Sequence, residues 1–256
     1  MNVIALQHDI AWENKEANFA RVHKLLTAAA PIKGALIALP EMFATGFSMN
    51  ADAIAEPPGG ATEQFLAAMA REFDVCVVAG LAIRGRDGRV RNRALALSPA
   101  GDRLAAYAKM RLFTPGGEPD HYAAGRRSVA FRWGGCTISP FICYDLRFPE
   151  IFRRATAVHR SELFVVIANF PKKRIHHWVR LLQARAIENQ AYVVGVNRVG
   201  RDPYYTYAGR SLIIDPQGET LAEAAEREGC VRARLDLASL RQYREGLPFF
   251  EDMARQ

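Results

Sequence analysis

The apolar residues of this chain come in short runs, and that limits what it can fold into. Residues 163–168 and 192–196 are typical: five or six apolar positions, the length of a strand buried on both faces and far short of the roughly 20 a membrane span needs. Between such runs lie stretches of helical period. Asn14 caps a helix reaching about Ala30, with Phe19, Val22, Leu25 and Leu26 on one face, and residues 62–73 carry Phe65, Leu66 and Met69 inward. Residues 149–156 and 175–189 read as two more helices. Strands are expected at 2–8, 35–39, 75–83, 91–97, 103–107, 129–133, 136–143, 163–168, 192–197, 210–214, 220–224 and 230–236. Consecutive strands mixed with strand–helix–strand units favour two packed sheets with helices outside over one doubly wound sheet. No linker or repeat interrupts residues 1–256, so a single α/β domain is expected.

Composition removes several classes. Half of the 256 residues are apolar and 24% are charged, ordinary globular usage. The N-terminus lacks a basic region before an apolar one, so a cytoplasmic location is expected. The net charge is +7, but the basic residues are scattered. Arg84, Arg86, Arg89, Arg91 and Arg93 crowd one turn-rich stretch, and Lys172, Lys173 and Arg174 another; neither matches a groove-reading motif, so no nucleic-acid partner is expected. Cys76, Cys136, Cys143 and Cys230 lack zinc-site spacing and read as free thiols.

Three residues follow the ends of apolar strands. Cys143 closes one and precedes Pro149, which suits the first turn of a helix. Helix-terminal amides and nearby cations there would favour its thiolate, the alternative being an ordinary buried cysteine such as Cys76. Glu41 follows five apolar residues and Pro40, a place for a partly desolvated base or for a carboxylate paired with an arginine. Lys109 ends a third strand, as a solvated charge or as an oxyanion donor. Together they supply what a cysteine hydrolase needs: a nucleophile, a base and a cation.

The contexts Pro40-Glu41-Met42-Phe43, Tyr107-Ala108-Lys109-Met110-Arg111 and Ile142-Cys143-Tyr144-Asp145-Leu146-Arg147-Phe148-Pro149-Glu150 resemble the Glu–Lys–Cys triad of the carbon–nitrogen hydrolase, or nitrilase, superfamily. The triad members lie 68 and then 34 positions apart, as in that family. Gly117-Glu118, residues 183–190 and residues 209–218 extend the likeness over about residues 2–236. Residues 41–49 and 177–200 look most like the omega-amidase branch; one departure is Phe170, where a tryptophan is expected.

The resemblance implies a four-layer α-β-β-α sandwich, a homodimer, no cofactor and no metal, and hydrolysis of the terminal amide of a small 2-oxo acid amide. Glu41 would be the base, Cys143 the nucleophile, and Lys109 with the Tyr144 N–H the oxyanion donors, with Glu118 positioning substrate or Lys109. Arg147 would bind the substrate carboxylate, unless it pairs internally with Asp145 or Glu150. Arg174 is a second candidate cation, Asn169 a further contact, and Phe43, Phe47 and Trp178 candidate pocket walls. The alternatives are an N-carbamoyl-amino-acid hydrolase or aliphatic amidase on the same fold, or a catalytically silent binding protein.

Overall fold

The structure, a computed structural model, describes residues 1–250. The first half runs β1 (Asn2–Gln7), α1 (Lys15–Ala29), β2 (Leu36–Ala38), α2 (Ala51–Ile54), α3 (Ala61–Phe73), β3 (Cys76–Arg84), β4 (Val90–Leu97), β5 (Arg103–Ala108) and α4 (Glu118–His121). The second runs β6 (Phe131–Trp133), β7 (Cys136–Ile142), α5 (Pro149–His159), β8 (Leu163–Ile167), α6 (Ile175–Asn189), β9 (Tyr192–Val196), β10 (Val199–Arg201), β11 (Thr206–Ala208), β12 (Leu212–Ile214), β13 (Thr220–Glu223), β14 (Gly229–Arg234) and α7 (Leu237–Gly246).

Two six-stranded sheets result, in the orders β14-β1-β2-β3-β4-β5 and β13-β12-β9-β8-β7-β6. β1, β2 and β3 are mutually parallel, as are β7, β8 and β9, with antiparallel strands outside them. The period-2 alternation of side chains explains the layers. Val3, Ala5, Leu36, Ala38, Cys76 and Val78 enter the core shared with the second sheet. Ile4, Leu6, Ile37, Val77 and Ala79, one residue out of phase, instead pack with Val22 and Leu26 of α1 and Leu66 and Met69 of α3. Trp178, Leu182 and Ala186 of α6 cover the second sheet. The expected α-β-β-α sandwich is present, and its parallel strands are mostly apolar because both faces are covered.

The expected element boundaries shift in informative places. The strand into the nucleophile stops at Ile142, and Cys143–Arg147 turn as a 3-10 helix. The ribbon β10–β11 was not anticipated, since each strand has three residues and Gly200 and Pro203 interrupt the pattern. Helix α7 buries only Leu240 fully, too little for a periodic signal, and starts on Asp236, whose carboxylate accepts from the N–H groups of Ala238 and Ser239.

Candidate active site

The parallel strands bring their C-terminal ends to one margin of the sandwich, where sheets flanked by helices leave crevices. Glu41 follows β2, Lys109 follows β5, Cys143 follows β7 and Asn169 follows β8. Antiparallel β4 starts at this margin, placing Asn92 beside Lys109, whose N–H donates to the Asn92 carbonyl at 2.9 Å. Gly80 of β3 lets the Glu41 turn close down: a Cβ there would lie 2.6 Å from the Glu41 Cα.

The charged groups of the first sheet's side form a closed cluster. Lys109 Nζ lies 2.9 Å from a carboxylate oxygen of Glu41 and 2.9 Å from one of Glu118, with all three side chains at 0% exposure. Asn92 Nδ2 donates to Oε1 of Glu41 at 2.7 Å and of Glu118 at 3.0 Å. Glu118 Oε2 accepts the Phe113 N–H at 2.6 Å, and Glu41 Oε2 accepts the Asn169 N–H at 2.9 Å. Burial by itself lowers the pKa of Lys109, but the charges of Glu118 and Glu41 outweigh it and hold the ammonium protonated.

Cys143 stands on a strained elbow. Its φ of +46° is left-handed, uncommon for a residue with a Cβ. The buried Asp145 carboxylate fastens the turn, accepting from the Ile142 N–H at 3.0 Å, the Tyr107 hydroxyl at 2.7 Å and the Arg111 N–H at 2.9 Å. Burial pushes the Asp145 carboxyl up to about 6 against those hydrogen bonds. The Cys143 thiol itself is raised well above its ordinary value, first by burial and then by the Glu41 charge, with Lys109 pulling the other way. A thiolate at rest, expected from the helix terminus and nearby cations, is therefore not what this environment favours. Two acids facing one lysine outweigh the single cation, so the sulfur rests as a thiol and needs a base.

A narrow cleft opens over the sulfur, lined by Phe47, Phe113, Tyr144, Arg147, Phe170 and Arg174 among others. Arg147 lies over the Phe170 ring at 5.6 Å and contacts His177 Nδ1 at 3.2 Å. It does not take up the internal pairing weighed above: Glu150 is bound to Arg111, and Asp145 is committed to the elbow. Arg174 lies over the Phe113 ring at 5.5 Å. Among the described residues neither arginine has a carboxylate within ion-pair distance.

Two expected contacts are corrected. Phe43 does not wall the cleft; its ring packs with Phe19 and Phe65 beneath the helices, because the turn after Glu41 sends it to the sheet's other face. Trp178 is fully buried behind Phe170, its indole N–H donating to the Arg210 carbonyl. Asn169 borders the cleft as expected, and its side-chain amide N–H also donates to the Glu41 carbonyl at 2.6 Å, which orients Glu41. Sequence reasoning missed Asn92, although a buried asparagine within a strand is disfavoured enough to attract notice. It also missed Tyr205 and Tyr207, which the ribbon β10–β11 brings to the cleft.

Residues 2–245 match the carbon-nitrogen hydrolase family, and the chain belongs to it. Within that family it is similar to omega-amidases. It is 39% identical over 254 residues to omega-amidase YafV of Yersinia enterocolitica, covering 98% of this chain and 96% of that one. It is 35% identical to 2-oxoglutaramate amidase of Bacillus subtilis, over 99% and 97% of the two chains. The solved structure of XC1258 from Xanthomonas campestris, a CN-hydrolase superfamily protein with an arsenic adduct in its active site, superposes with a TM-score of 0.93 at 34% identity, covering 98% and 96%.

Proposed function

We propose that this enzyme releases ammonia from the terminal amide of a small 2-oxo acid amide, such as 2-oxoglutaramate or 2-oxosuccinamate, through a thioester on Cys143. The observation that carries the reading is the pairing of a closed Glu41–Lys109–Glu118 cluster at the sulfur with two arginines, Arg147 and Arg174, that have no carboxylate partner among the described residues. Glu41 takes the thiol proton as sulfur attacks the amide carbon. The carbonyl oxygen becomes an oxyanion, met by the Lys109 ammonium and the N–H of Tyr144, which as second residue of the 3-10 turn has no partner inside that turn. Glu41 returns the proton to the departing nitrogen, the C–N bond breaks, and ammonia leaves. Glu41 next deprotonates water; hydroxide attacks the thioester, and the proton returns to sulfur as the acid departs. Asn92, Asn169 and Glu118 hold Glu41 and Lys109 in place.

The guanidinium forks of Arg147 and Arg174 suit the substrate carboxylate. They also disfavour the α-ammonium of glutamine, which differs from 2-oxoglutaramate only at that carbon. Ammonia release should therefore run at least about a hundredfold faster, as kcat/KM, on 2-oxoglutaramate than on glutamine; comparable rates would overturn the specificity. We further take residues 1–256 as one domain, supported by the pairing of β1 with β14 in a single sheet. A cytoplasmic homodimer completes the reading. Four free cysteines suit a reducing compartment, and a monomer mass by light scattering would remove the dimer.

A further inference from the structure

The arginine-rich stretch that ends in β4 has no part in this chemistry. Asn92 points into the catalytic cluster, so Arg91 and Arg93 project from the opposite face of the strand. There they line a recess together with Arg89, Arg126, Arg127 and a single carboxylate, Asp87. Small residues, Ala106 and Ala108 of β5 and Gly125, leave it open between the basic side chains. The loop that carries Arg126 and Arg127 is fastened to β5. Gly125 N–H donates to the Lys109 carbonyl at 2.7 Å, and a Cβ at Gly125 would fall 2.1 Å from the Ala108 oxygen.

Asp87 is consumed by Arg91, with contacts of 2.9 and 2.5 Å. Among the described residues Arg89, Arg93, Arg126 and Arg127 have no carboxylate within ion-pair distance, and the buried Nε of Arg93 has no hydrogen-bond partner. Burial first, and then the like charges of Arg91 and Arg103, lower the pKa of Arg93. Such crowding is unfavourable until an anion offsets it.

We propose that this recess binds a small multivalent oxyanion, an oligophosphate or a polycarboxylate, in the guanidinium forks of Arg93, Arg126 and Arg127. Several unpaired forks in one concavity fit several oxyanion groups on one molecule, each taken bidentately. A nucleic acid fits less well: the lining has no aromatic ring for base stacking, and the charge fills one recess instead of a stripe. The site is separate from the catalytic cleft, whose arginines belong to the other half of the fold.

Calorimetric titration of the full-length protein with inorganic triphosphate and with citrate, at low salt and at about 0.15 M, tests this. Saturable binding of one anion per chain is expected, weaker at the higher salt. The Arg126→Ala/Arg127→Ala double variant, altered only at exposed positions, should weaken binding at least about tenfold. Arg93→Lys keeps the charge but loses the fork and should also weaken it, while Arg174→Ala should leave it unchanged. Tighter triphosphate binding identifies an oligophosphate, and tighter citrate binding a polycarboxylate. The proposal is overturned by absence of saturable binding, by binding indifferent to the double variant, by binding lost in Arg147→Ala, or by tighter association with a single-stranded oligonucleotide than with triphosphate.

Discussion

The first sheet brings its charges to the site already sealed, whereas the second brings groups that solvent and substrate still reach. Glu41, Asn92 and Lys109 come from the first, and they are buried and bonded to one another. Cys143, Tyr144 and Arg147 come from the second and line an open cleft. The difference separates two jobs. Electrostatic stabilisation gains from a water-excluded, preorganised setting, while attack and recognition require access. Substitutions on the two sides should therefore differ in kind.

Cys143→Ala should show the largest effect, a loss of at least about four orders of magnitude in turnover with the fold retained; near-normal ammonia release would remove it as nucleophile. Lys109→Met should cost roughly two to three orders of magnitude in kcat. It should also cost about 3–5 kcal/mol of stability, because Glu41 and Glu118 would be left facing each other. If urea denaturation of Lys109→Met matches wild type, the first sheet's side is not the sealed unit described. Arg147→Ala, on the accessible side, should leave stability within about 0.5 kcal/mol. It should raise KM for 2-oxoglutaramate by roughly one to two orders of magnitude, with little change for an uncharged short amide. Equal losses on both substrates would exclude a carboxylate-binding role.

The last difference is in the pH dependence of stability, where the two sides have opposite signs. His8, fully buried after β1, is pulled down from 6.5 to about 3, chiefly by burial. Between those values the unfolded chain binds a proton that the folded one refuses, so stability falls as pH drops, by up to about 1.4 kcal/mol per pH unit. Asp145 is shifted up from 3.8 to about 6. Over that interval the folded chain keeps a proton the unfolded one releases, so stability falls as pH rises. Between about pH 4 and 6 the two slopes oppose each other, so denaturation of His8→Gln should show stability falling as pH rises, and that of Asp145→Asn stability falling as pH drops.

The architecture was legible because the central parallel strands are covered on both faces, which writes a largely apolar run into the sequence. Glu41, Lys109 and Cys143 were legible because strand ends are marked by Pro40 and by the abrupt return of charge. The residues that orient them were harder to see. Asn92 and Asn169 act through contacts that join β4 and β8 to the turn after β2, 51 and 128 positions away from Glu41. Phe43 misled because an aromatic beside a catalytic acid reads the same whether its ring faces the cleft or the helices. The resting state of the sulfur depends first on its burial and then on the balance of three buried charges, neither of which local sequence reveals.

The left-handed backbone at Cys143 sets nucleophilicity against comfort. Glycine adopts that conformation freely, so a library screened for heat resistance, with no demand for turnover, should drift towards glycine at this position. Only selection on ammonia release would keep a sulfur there.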